Sequence, residues 1–138
     1  MKTLVLENPV KTYYVKASAF PSGVEQAHQA LHALVPFDER RKYFGFSWPD
    51  QGAITYLAAA EELFEGELAQ YGLETKTIQK GTYLYIDIFN FMDNIPAIGA
   101  AFQQLIHDER IAPDGFCIEW YLTQKDCRCM VSTQTQLS

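Results

Sequence analysis

A chain of 138 residues, 48% hydrophobic and 20% charged, has the length and composition of one globular domain, which excludes disorder. Its net charge of −6 and its scattered Lys and Arg residues, clustered only at 39–42, provide no basic stripe for phosphates, so direct nucleic-acid binding is not expected. There is no apolar run of roughly eighteen residues to cross a membrane, and three cysteines in a chain long enough to fold without bridges fit a reducing cytoplasm.

Residues 11–19 alternate like a half-buried strand. Pro21 and Gly23 separate them from an amphipathic helix whose inward stripe reads Val24, Ala27, His28, Leu31, Leu34 and Val35, and Pro36 ends it. His28 and His32 have the i, i+4 spacing of zinc ligands. Gln29 stands where a zinc protease needs its Glu and no third ligand is evident, so no metal site is expected. Strands over 43–48 and from 54 to about 61 follow. The turn between them leaves open which way Tyr56 points, and 62–72 reads as a short helix ending at Gly72.

The second half repeats this order. Residues 82–90 alternate, and Asn94 and Pro96 open a helix whose inward stripe is Ile95, Ile98, Gly99, Phe102, Leu105 and Ile106. The turn at 112–115 then leads into strands at 116–122 and 125–131. The two helical stripes have identical offsets, and one common shift of about half the chain superimposes them and two of the strands. The expected fold is therefore α+β: one domain, 1–138, of duplicated β-α-β-β units with halves at about 1–70 and 71–138. Both helices lie on one face of an antiparallel sheet, with a ligand cleft between the halves.

With Leu84, Ile86 and Ile88 under the helices, Tyr83, Tyr85, Asp87 and Phe89 take the opposite face, shared by Tyr14 and Lys16 through the repeat. A four-residue turn at 123–126 pairs Leu122 with Cys127. It sends Phe116, Ile118, Trp120, Cys127, Cys129 and Val131 toward the helices, and Cys117, Glu119, Tyr121, Arg128 and Met130 toward the open face. Glu119, in the apolar run FCIEWYL, then stands on an aromatic face beside Asp87. Burying it without a partner costs several kcal/mol. Two readings follow: Arg128 neutralises it as a cross-strand pair, or a cationic ligand does. Likewise Tyr14, Tyr85, Tyr121 and Trp48 either line that ligand or simply pack.

The segments FPSGVEQAHQALH, YFGFSW, ITYLAAAEE, IQKGTYLYIDI and CIEWYL followed by CMV span nearly the whole chain. In that order they resemble the GyrI-like small-molecule-binding domains, also called bacterial transcription activator effector-binding domains. The resemblance implies a duplicated β-α-β-β fold with a cleft in which the Glu of Glu-x-Tyr, here Glu119, contacts cationic aromatic ligands. Many members carry a helix-turn-helix DNA reader. With the first strand beginning by residue 11 there is no room for one, so a stand-alone binder of small aromatic or cationic molecules is expected. Its ligand-binding residues are Glu119, Tyr121, Tyr85, Asp87, Tyr14, Trp48, Tyr56 and Met130, with no catalytic residue and no cofactor.

Two other classes stay open. Some GyrI-like proteins are hydrolases that open strained rings of aromatic toxins, and Glu119 and Asp87 on one face would supply the acid and base. A protein-interaction module would instead dock a partner on the aromatic face. No Gly-rich phosphate loop or Gly-x-Ser-x-Gly elbow is present to suggest nucleotide or serine-esterase chemistry.

Overall fold

The computed structural model describes residues 1–133. Antiparallel strands dominate them: β1 (Lys2–Leu6), β2 (Val10–Lys16), β3 (Tyr43–Asp50), β4 (Ala53–Glu61), β5 (Glu74–Ile78), β6 (Gly81–Ile88), β7 (Cys117–Tyr121) and β8 (Cys127–Ser132). The only α-helices among the described residues are α1 (Val24–Leu34) and α2 (Pro96–Ile106), of 11 residues each.

The strands divide between two compact units. Residues 10–78 form one, with strand order β3-β4-β2-β5 and helix α1. Residues 1–9 and 79–133 form the other, with order β7-β8-β6-β1 and helix α2. The boundary falls after Ile78, and β1 joins the C-terminal unit by pairing antiparallel with β6.

In the 10–78 unit, Gln51 and Gly52 both have positive φ, 51° and 82°, and close the two-residue turn between β3 and β4. Positive φ at both positions matches the right-handed twist of the flanking strands. That turn fixes Ser47 opposite Tyr56 and Trp48 opposite Thr55. Leu31 and Val35 then pack on Tyr13, Ala17, Tyr56, Ala58 and Ala60. In the other unit Ala101, Phe102 and Leu105 cover Leu84, Cys127, Cys129 and Val131, with Ile86, Ile88 and Ile98 alongside.

The expected α+β layering, with both helices on one face of a sheet, is overturned: the chain is sheet-dominated. Each helix is about 16 Å long and 10 Å wide, enough to cover roughly two strands spaced 4.8 Å apart. Accordingly α1 meets β4 and β2, and α2 meets β8 and β6. The face away from the helices is also buried, with Phe44, Phe46, Leu57 and Ala59 enclosed in one unit and Tyr83, Ile118 and Met130 in the other.

The helical stripes are narrower than the sequence suggests. Leu34, Ile95 and Ile106 are exposed, and a Cβ on Gly99 would meet no atom within 4 Å. Residues 62–72 also fail to become a helix and contain one 3₁₀ turn, Ala69–Tyr71. Side chains and neighbouring backbone capture the groups a helix would use: Glu62 N donates to Lys11 O at 3.0 Å, and Leu63 N to the Glu67 carboxylate at 3.0 Å.

Candidate functional site

The β7–β8 hairpin closes one residue earlier than a four-residue turn requires. Leu122 N donates to Asp126 O at 3.0 Å, and the Thr123 hydroxyl accepts from Lys125 N and Asp126 N at 3.0 Å each, leaving a three-residue tip. Cys127 therefore faces Tyr121 rather than Leu122. A one-residue slip turns every side chain of a strand over. Cys117, Glu119 and Tyr121 lie on the α2 side, where Glu119 stands opposite Cys129, while Ile118 and Trp120 take the other face.

On the α2 side the Tyr121 hydroxyl donates to the Glu119 carboxylate, and the Tyr121 ring lies 5.7 Å from that of Phe91. Glu119 is half-buried. The Cys127 thiol beside it is pushed far up by its hydrogen bond with Cys129, by burial and by the nearby carboxylates, which makes it an inert core thiol.

Asp87 keeps the face expected for it, away from α2, so it and Glu119 are not neighbours on one surface. The acid–base pair considered for ring-opening hydrolysis is thereby taken apart. The partner of Arg128 is corrected in the same way. Its Nε donates to Asp87 Oδ1 at 2.8 Å and its Nη2 to Oδ2 at 3.1 Å, with both side chains 21% exposed. Its guanidinium lies 4.2 Å from the Tyr85 ring centroid and 5.3 Å from that of Trp120. The arrangement holds Arg128 charged, its pKa raised first by the bond to Asp87. Met130 shares this face but is 0% exposed and forms its floor.

The remaining candidates fall in the 10–78 unit. Tyr14 lies on the face away from α1 and donates to Glu74 Oε2 at 2.6 Å, a bond that raises its pKa. Trp48 shares that face, with the Lys76 ammonium 4.9 Å from its ring centroid. Tyr56 points the other way, into the core under α1, where its hydroxyl lies 2.8 Å from His28 Nε2. Burial, then the charge of His32, lowers the His28 pKa to about 4. No group of three or more His, Cys, Asp or Glu side chains is placed to hold a metal among the described residues.

The eight sequence candidates are thus distributed as Tyr85, Asp87 and Met130 on one face, Glu119 and Tyr121 behind it, Tyr14 and Trp48 together, and Tyr56 in the core. Sequence reasoning placed Asp87 and Arg128 on one face but matched Arg128 with Glu119 and sent Trp120 toward the helices, so it missed the cluster of the three. The signal for it was available in the alternation of β6 and β8, which sets Asp87 opposite Arg128.

No family model matches the chain, and no curated protein gives a significant match to it. Solved structures share its fold. An integron cassette protein from the mobile metagenome of Vibrio cholerae aligns with a TM-score of 0.63 at 9% sequence identity, over 96% of this chain and 95% of that one. A hydrolase from Listeria innocua aligns with a TM-score of 0.58 at 9% identity, over 96% of this chain and 90% of that one. At such identities the likeness establishes fold alone. No helix among the described residues is long and apolar enough to cross a membrane.

Proposed function

We propose that this chain binds small aromatic or cationic molecules, in keeping with its resemblance to GyrI-like effector-binding domains. The ligand's seat is the face of β6, β8 and β7 that carries Tyr85, Asp87, Trp120 and Arg128. The observation that carries the reading is the position of Arg128. Its guanidinium is a flat cation held by one carboxylate at 2.8 Å and by the faces of two aromatic rings. A planar cationic ligand would use the same contacts, taking the seat as the flexible Arg128 side chain swings out.

The magnitudes suit reversible binding. Opposite unit charges at 4 Å attract by about 4 kcal/mol at an effective dielectric near 20, and each ring adds roughly 0.5 to 2 kcal/mol. Displacing Arg128 and ordering the ligand offset much of this, leaving affinities of micromolar order. Asp87 is the counter-ion in this reading, and Glu119 is not.

The test is titration of a fluorescent planar cationic dye against the wild type, Asp87→Asn, Glu119→Gln and Arg128→Ala. Asp87→Asn should weaken binding about tenfold or more, Glu119→Gln should leave it unchanged, and Arg128→Ala should tighten it, since 1.4 kcal/mol is a factor of ten. Equal affinity for wild type and Asp87→Asn overturns the seat. A protein-interaction module is the second reading, favoured by Phe89, Met92 and Ile95, which are 66%, 68% and 50% exposed within seven residues of chain. Absence of dye binding by every variant would favour it.

A further inference from the structure

The 10–78 unit holds a second constellation that the Arg128 seat leaves unused. Lys76 on β5 and Trp48 on β3 belong to opposite edges of the order β3-β4-β2-β5, yet the Lys76 ammonium lies 4.9 Å from the Trp48 ring centroid. Edges three strands apart in a flat sheet are separated by about 14 Å. The sheet therefore curls until its edges approach, with the face away from α1 concave.

The backbone at Lys76 is held by β2. Thr12 Oγ1 donates to Lys76 O at 2.7 Å, and β5 is laddered to β2 from Val10–Ile78 to Tyr14–Glu74. The lysine is half-buried, and burial lowers its pKa, which increases the share of neutral, nucleophilic amine at neutral pH. Glu74, two residues earlier on the same strand face, accepts the Tyr14 hydroxyl at 2.6 Å. Tyr14, with its pKa raised by that bond, stays protonated and keeps its hydroxyl on Glu74.

We propose that Lys76 captures aromatic aldehydes covalently and reversibly, as a Schiff base whose aryl group stacks on Trp48. The neutral amine nitrogen forms a bond to the carbonyl carbon while the carbonyl π pair moves to oxygen, which takes up a proton. The resulting carbinolamine loses its hydroxyl as water and becomes the imine. Both hydrogens of the amine leave with the carbonyl oxygen, so one water is released and no oxidant or reductant is consumed. Hydrolysis reverses the step, as a carrier or sensor of reactive aromatic carbonyls requires. The aromatic part of the ligand is set by Trp48, and the aldehyde by the amine.

The experiment uses the full chain, benzaldehyde as the probe, borohydride trapping of the imine, and peptide mass spectrometry to compare lysines. Lys76 should be labelled about tenfold faster than the exposed Lys2 and Lys80, because burial leaves its amine less protonated and Trp48 holds the aldehyde beside it. Trp48→Leu should slow labelling at Lys76 without changing Lys2, whereas Trp48→Phe, which keeps a ring, should retain it. If Trp48→Leu fails to fold, excess benzyl alcohol serves instead and should protect Lys76 alone in the wild type. Uniform labelling of the lysines, or a Lys76 rate indifferent to both Trp48→Phe and benzyl alcohol while slower than Lys2, overturns the proposal. Dye binding at Asp87 is read separately and does not enter this outcome.

Discussion

Glu119 and Asp87 project from opposite faces of the β6–β8–β7 ladder, with the two strands that carry them separated by β8. They therefore share no ligand and no proton. Glu119→Gln and Asp87→Asn should be additive in denaturant unfolding to within about 0.5 kcal/mol, as expected of carboxylates on opposite faces of a ladder that share no hydrogen bond. A coupling well beyond that would mean that β7 is displaced by one residue and that both carboxylates line one surface after all.

Two glycines separate packing from propensity. Gly99 lies inside α2 with open space where its Cβ would be, so Gly99→Ala should stabilise the protein by up to about 1 kcal/mol through helix propensity. At Gly23, just before α1, a Cβ would come within 2.8 Å of Ala19 O and 2.9 Å of Ala19 N. Gly23→Ala must push backbone aside and should destabilise by roughly 1 to 3 kcal/mol. Thermal midpoints moving in opposite directions would confirm both placements, and a loss of stability in Gly99→Ala would mean that α2 is rotated.

What the sequence made legible depended on whether a loop had to be counted. Leu84, Ile86 and Ile88 turn to α2 as their alternation requires, because a period of two needs no information beyond the strand itself. The face of Glu119 depended on the length of the hairpin tip, and the Thr123 hydroxyl, by collecting two backbone N–H groups, shortens that tip by one residue. Tyr56 was undecided until the positive φ of both Gln51 and Gly52 fixed its register. β1 left no local mark, since its partner β6 is far along the chain. The helix suggested at 62–72 lost to an ion pair that no propensity contains.

That ion pair should be a strong determinant of stability in the 10–78 unit. The Arg41 side chain is 2% exposed, and its Nη1 and Nη2 donate to the two Glu67 carboxylate oxygens at 2.8 Å each, with Nη1 also reaching Glu61 O at 2.8 Å. Glu67→Gln leaves a buried cation without its counter-charge, at a cost of about 3 kcal/mol or more. Replacing both, as Arg41→Met with Glu67→Leu, should cost less than Glu67→Gln alone, because no charge then remains to be buried. Chemical denaturation of the three proteins checks this, and a Glu67→Gln loss below about 1 kcal/mol would show that water reaches Arg41 freely.

His28 gives the protein a dependence on pH with a definite sign. In the folded chain burial, helped by the charge of His32, holds its pKa at about 4, against 6.5 for an ordinary histidine. Between those values the unfolded chain binds a proton that the native chain does not, so stability increases with pH across this window. The contribution is complete above about pH 6.5, declines as the pH falls, and is exhausted near pH 4, for a total of about 3 kcal/mol at most. Groups facing the imidazole include the Tyr56 hydroxyl at 2.8 Å and His32 one turn along α1, itself lowered by burial. The depressed carboxylates Asp38, Glu67 and Asp108 titrate below the range from pH 5 to 6.5 in which the histidine contribution is read. Unfolding free energies measured across that range should fall toward acid in the wild type and in His32→Gln, and should flatten in His28→Gln. An unchanged slope in His28→Gln would mean that burial under α1 does not hold His28 neutral in the folded chain.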